Sequence, residues 1–208
     1  MAKFTPEERK RISAKIKTLR DEGKPQDQAI AVAVKSVAPQ KSRLAEVLPK
    51  RYDTYETPYG TVILGVPTFA EHTRVYANPA TAPSHFGLDW LLDACDAADT
   101  RRAEGYLPPI HDEHQPLGPG SQASRPRLGY SLSDTVGLAL MNGRPTWVTF
   151  SDLLIEKEHD AEEVARRLPY RSIELESPSI REIAALALIE SRVPYFRFPL
   201  LRLHRVTG

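Results

Sequence analysis

Residues 59–77, "YGTVILGVPTFAEHTRVYA", crowd Val, Ile, Thr, Tyr and Phe together and break the run at Gly60, Gly65 and Pro67. β-branched and aromatic side chains suit a pleated, half-buried surface, so the stretch predicts a β-hairpin or meander. The same chemistry returns in "PRLGYSLS" (126–133), "VGLALMNG" (136–143), "TWVTFSDLL" (146–154) and "YRSIELE" (170–176). "SIREIAALALIES" (179–191) is alanine-rich and helix-compatible, but Pro178 before it and the extended "VPYFRFPLLRL" after it favour a strand. Two helices interrupt this grammar. In residues 85–105, Leu88, Leu91, Leu92 and Cys95 fall at helical spacing and Gly105 supplies a stop, while "HDAEEVARRL" (159–168) predicts a shorter one.

Upstream the pattern is purely helical. Thr5, Pro6 and Glu8 stand in the order of an N-cap, a first-turn proline and a capping-box glutamate, with Ile12, Ile16 and Leu19 on one face. Gly23 ends that helix, and Pro25 opens a second carrying Ala29, Ile30, Ala33, Val34 and Val37. The expected organisation is a helical hairpin module over 1–43, a linker over 44–58 and a β domain over 59–208. The class is α+β, mostly antiparallel β.

The 208 residues suffice for one substantial core. A formal charge of +1 gives the whole molecule no polyelectrolyte reason to seek nucleic acid or an anionic membrane. Residues 1–43 are the exception, with eleven basic and five acidic side chains. That charge permits contact with DNA or an acidic protein surface, but the segment nearly lacks the aromatic side chains on which single-stranded bases stack, so a solvated helix face is the favoured reading. One cysteine cannot close an internal disulfide, which fits intracellular synthesis. No run approaches the roughly 18 apolar residues of a membrane span. Eighteen prolines, placed between elements, predict short elements with stiff connections.

Chemistry-bearing residues gather in two places. "PPIHDEHQPLG" (108–118) sets His111 and His114 beside Asp112 and Glu113, and an imidazole is the usual general base near neutral pH. Because prolines favour extended chain there, residues three apart point to opposite sides, which disfavours chelation of a metal by the pair. "LPYRSIELES" (168–177) holds Ser172 between Arg171 and Glu174. A serine in a strand is ordinarily filler, and there is no G-x-S-x-G elbow, phosphate loop, dinucleotide fingerprint or zinc-finger spacing.

In collinear order, "DEHQ" (112–115), "LGYSL" (128–132), "TWVTFSDL" (146–153), "EEVARRL" (162–168), "YRSIELE" (170–176) and "IAALALIESRVPYFRFPLL" (183–201) resemble the protease/scaffold proteins of tailed phages, the Mu-type I protein and its prohead-protease relatives. The likeness covers about residues 60–201; the G-x-S-I-G-F pattern of the more compact prohead proteases is absent. The resemblance implies an assemblin-like closed antiparallel β-barrel with surrounding helices, and serine peptidase chemistry without metal or organic cofactor. Ser172 matches the nucleophile and His114 the base, with His111 in reserve. Glu182 is the first choice for the group orienting the imidazole, ahead of Glu174 and Asp112, and Arg171 with nearby backbone amides is the implied oxyanion support. The implied partners are scaffold and major capsid proteins, with self-association open, inside a procapsid assembling in the host cytoplasm. Two rivals stand beside it: a scaffold or capsid-associated protein without catalysis, and a metal-dependent hydrolase built on His72, His85, His111 and His114.

Overall fold

A computed structural model describes residues 5–24, 29, 32–33, 36–37, 46–74, 83–113, 126–175, 183–190 and 198–206. The expected capping box forms as written: helix α1 (Pro6–Asp21) starts on Thr5, whose hydroxyl accepts from the Glu8 N–H while the Glu8 carboxylate accepts from the Thr5 N–H. Strands β1 (Glu46–Val47), β2 (Tyr52–Thr57), β3 (Gly60–Ala70), β4 (His72–Arg74) and β5 (Ser84–Phe86) follow, then helix α2 (Leu88–Ala103) and strand β6 (Pro109–Asp112). The rest is β7 (Arg127–Met141), β8 (Arg144–Glu156), helix α3 (Ala161–Arg167), β9 (Tyr170–Leu175), β10 (Ile183–Ile189) and β11 (Leu203–Arg205). Within the alanine-rich 179–191 stretch, Ile183–Ile189 is thus a strand, held between two others. No helix among the described residues is long and apolar enough to cross a membrane.

One sheet runs in the order β11-β2-β3-β8-β7-β6-β10-β9, with β1 beside the far half of β7 and β4-β5 forming a separate ribbon. Five neighbouring pairs in that path are antiparallel, while β11 joins β2 and β6 joins β10 in parallel. The expected closed barrel is not what forms. The sheet is open, since among the described residues no ladder carries the path from β9 back to β11 or to β3. The reason lies in β3. Its first half, Gly60–Ile63, is covered by β2, but among the described residues its second half pairs with β8 and no other strand. Where a ladder would have to join that edge to β9, a side chain makes the contact: Arg171 Nε donates to the Pro67 carbonyl at 2.7 Å.

The two strands expected at 126–133 and 136–143 are one. β7 runs 15 residues, with a register shift between Ser131 and Ser133. It turns into β8 at Asn142-Gly143, both at positive φ (53° and 75°), the backbone a two-residue hairpin loop requires. Ser131 and Asp134, poor strand formers, are accommodated by a buried network: Asp134 meets Arg102 of α2 and Ser151 of β8, and Ser151 meets Thr68 of β3 at 3.0 Å.

The boundaries expected at 43 and 58 do not separate a module from a body. Ile12, Ile16 and Leu19 of α1 share one apolar core with Leu88, Leu91, Leu92 and Cys95 of α2 and with Ile63, Ile110, Leu128 and Leu186 of the sheet. Arg9 is 1% exposed and ion-paired to Asp96 and Asp99 of α2. Residues 46–47 and 52–57, read as linker, are β1 and β2. Most of the expected second helix of the hairpin lies outside the described residues; of its stripe, Ala29 and Ala33 are fully buried in the shared core.

Candidate functional site

Register decides which side chains meet. In the β9-β10-β6 run, Ser172 pairs with Ala187, and Ala187 pairs with His111. Cross-strand partners share a face and successive residues alternate, so Ser172, Ala187 and His111 form one row on one face of the sheet. The opposite face carries Ile173, Leu186 and Ile110, all buried in the main core. Ser172 and His111 are each half-buried, and Ala187 between them is fully buried. Two strand spacings separate their backbones, ~9.6 Å. The Ser172 hydroxyl donates to the Ile173 carbonyl at 3.4 Å, and no hydrogen bond joins it to His111.

The rest of the histidine segment is held firmly up to Glu113. Asp112 Oδ2 pairs with Arg167 Nη2 of α3 at 2.7 Å, so its carboxylate is engaged away from the serine row. Glu113 adopts φ 64°, ends β6, and clasps β10 twice: its N–H donates to the Leu188 carbonyl at 2.9 Å and its Oε1 accepts from the Glu190 N–H. His114 and Glu182, the matched base and the first choice for its orienting group, lie outside the described residues. So does the Glu174 side chain.

Arg171 is a correction. It precedes Ser172 and therefore points through the sheet to the other side, where it is 3% exposed. Its guanidinium donates to the Pro67 carbonyl, to the Pro199 carbonyl at 2.7 Å and to the Tyr52 hydroxyl at 2.9 Å, and it lies near the rings of Tyr52 and Phe198, 5.3 and 5.4 Å to the centroids. Burial lowers its pKa from the usual arginine value, against the opposing pull of Tyr52, and burial raises that of the Tyr52 phenol. A side chain so placed cannot reach an oxyanion at Ser172. Nothing in the sequence marks this arginine as interior, because a basic residue beside a strand serine reads as solvent-facing.

Compared with protein-family models, with curated proteins and with solved structures, the chain finds no match.

Of the four histidines of the metal-hydrolase alternative, His72 and His85 stand on the β4-β5 ribbon and His111 on β6, while His114 lies outside the described residues. His72 pairs with Phe86 and Thr73 with His85, so His72 and His85 leave opposite faces of the β4-β5 ribbon. His72 Nδ1 is bonded to the Ala70 carbonyl at 2.9 Å, and His85 Nδ1 to the Thr73 hydroxyl at 2.9 Å. A groove of about 700 Å³ runs between α3 and residues 200–203, lined by Asp160, Glu163, Arg166, Pro169 and Arg202 among others. It touches the chain just before β9 but includes neither Ser172 nor His111.

Proposed function

We propose that this chain is a serine endopeptidase that trims scaffold and capsid proteins while a phage procapsid assembles, with Ser172 as nucleophile and His111 as general base. The observation that carries the reading is the Ser172–Ala187–His111 row, which sets a hydroxyl and an imidazole on one face. It supports His111, the reserve base of the sequence reading, by its place on the serine's face; His114 lies outside the described residues. The resemblance of the collinear motifs supplies the substrate class.

The chemistry balances on these two groups and water. Ser172 Oγ bonds to the scissile carbonyl carbon while its proton passes to the imidazole; the C–N bond then breaks and the leaving amine takes that proton. Water hydrolyses the acyl-serine, returning the hydroxyl. One strand lies between the partners, so the transfer requires a bridging water or an approach of the two side chains when substrate binds. Confinement in a shell raises effective concentration and tolerates weak substrate binding.

A fluorophosphonate probe tests this. Ser172 Oγ bonds to phosphorus, fluoride leaves and the proton goes to the base. Label is expected at Ser172, absent in Ser172→Ala, and slowed on the order of 10²-fold or more in His111→Gln but not in His114→Gln. No label on Ser172, either in the purified protein or in assembled shells, rejects the reading. The second reading, a non-catalytic scaffold, is favoured by the engagement of the Ser172 hydroxyl with Ile173 rather than with His111. It expects shell incorporation and unchanged processing of a co-expressed scaffold in Ser172→Ala.

A further inference from the structure

We infer that Arg171 is the positioning residue for Ser172: its buried guanidinium supplies the lateral restraint that the sheet withholds from β9. The inference rests on the reading of Ser172 as a nucleophile. Among the described residues β9 ends the sheet and is laddered on one side, by β10. A nucleophile on such a strand is fixed from one flank, whereas reacting atoms need placement to well under 1 Å. The other flank faces the second half of β3, which β2 leaves uncovered. There Arg171 takes up the role: three donors of one rigid fork reach β3 at Pro67, the segment at Pro199 and β2 at Tyr52. Proline carbonyls suit this use, since a proline has no N–H and brings only an acceptor to the contact. The planar fork is less adaptable than an ammonium, so lysine can copy the charge but at most part of the geometry.

The test compares Arg171→Lys, Arg171→Met and Tyr52→Phe with the unaltered full-length chain. Fluorophosphonate labelling is followed across probe concentration, giving a maximal rate and a half-saturating concentration, alongside thermal melting. Expected is a fall of tenfold or more in the maximal rate for Arg171→Met, with half-saturation unchanged and partial recovery in Arg171→Lys. Tyr52→Phe removes one of three acceptors and leaves the fold least disturbed; a smaller fall, about two- to fivefold, is expected. Labelling at the unaltered rate in Tyr52→Phe and in any folded Arg171 variant overturns the positioning role, and leaves Arg171 as a fold-stabilising clip even where melting drops. Equal losses in Lys and Met variants that melt alike also overturn it. An unaltered chain that takes no label rejects instead the serine-hydrolase reading beneath it.

Discussion

Arg9 of α1 donates through Nη1 to the main-chain carbonyl of Asp134 in β7 at 2.8 Å, across 125 positions of the chain. The same guanidinium meets Asp96 and Asp99, and Asp99 and Asp134 in turn share Arg102. A helix at the amino terminus is thereby wired to the middle of the sheet. Removing one partner of a buried pair strands the others, which costs about 3–5 kcal/mol. Arg9→Met is expected near the lower end, about 3 kcal/mol, because Asp96 and Asp99 keep 39% and 34% exposure and can hydrate. Urea unfolding of Arg9→Met beside the exposed control Arg11→Met measures it; equal midpoints would contradict an integral α1.

Local signals in the sequence translated directly into local structure. Thr5, Pro6 and Glu8 specify one helix start because all three partners lie within four residues. Burial of β10 between β6 and β9 agreed with the extended company of residues 179–191. What failed to show was long-range. In the sequence Arg9 reads as one of the basic residues of 1–43, since nothing nearby foretells Asp99 and Asp134. The sequence pattern divides β7 at Asp134–Thr135 because polar residues break a strand pattern unless other elements satisfy them, as Arg102 and Ser151 do for Asp134. The Ser172–His111 row is set by a parallel pairing of β6 with β10, and no spacing along the chain encodes that. The barrel expectation failed because, among the described residues, no backbone ladder joins β3 to β9, and the contact there is the Arg171 side chain on the Pro67 carbonyl.

Gly129 carries β6, and with it His111, onto β7. It pairs with Ile110 on one side and Ile155 on the other. A Cβ there would lie 1.8 Å from the Leu154 carbonyl oxygen and 3.1 Å from Ile155 Cα, both main-chain atoms that cannot swing away. Gly129→Ala is expected to destabilise by about 2 kcal/mol or more. Calorimetry reads the stability, and serine labelling should fall with it; an unshifted melting temperature rules out the close approach.

Cys95 is fully buried on the core side of α2. Burial first, then the negative charge of Asp134, pushes its thiol well above the usual range. Only the thiolate attacks a disulfide reagent. The native protein is therefore expected to be inert to an aromatic disulfide at pH 8, releasing one equivalent of chromophore on unfolding in guanidinium. Rapid release from the folded protein would place Cys95 at the surface and contradict the α2 packing.

His72 gives the β4-β5 ribbon a pH dependence whose direction can be worked out. Its ring stacks on Phe86 at 4.8 Å and meets Phe69 edge-on at 5.0 Å. Burial lowers its pKa, the bond to the Ala70 carbonyl opposes that, and the positive charges of Arg74 and His85 add to it. The folded state then resists a proton that the unfolded chain accepts, so the unfolded state binds more protons and stability rises with pH. The contribution is complete above the unfolded value, about 6.5, and is lost as pH falls below it towards the folded value. Glu71, next along the chain, has the opposite sign: burial raises its carboxyl, so protonation of the folded state relieves a penalty as pH falls. His72→Phe keeps the ring contacts and removes the titration. The difference in melting temperature between wild type and His72→Phe is expected to widen in favour of the variant from pH 7.5 to 5.5, with Glu71 common to both and cancelling. A difference that stays constant over that interval would mean that His72 takes its proton as readily in the fold as outside it.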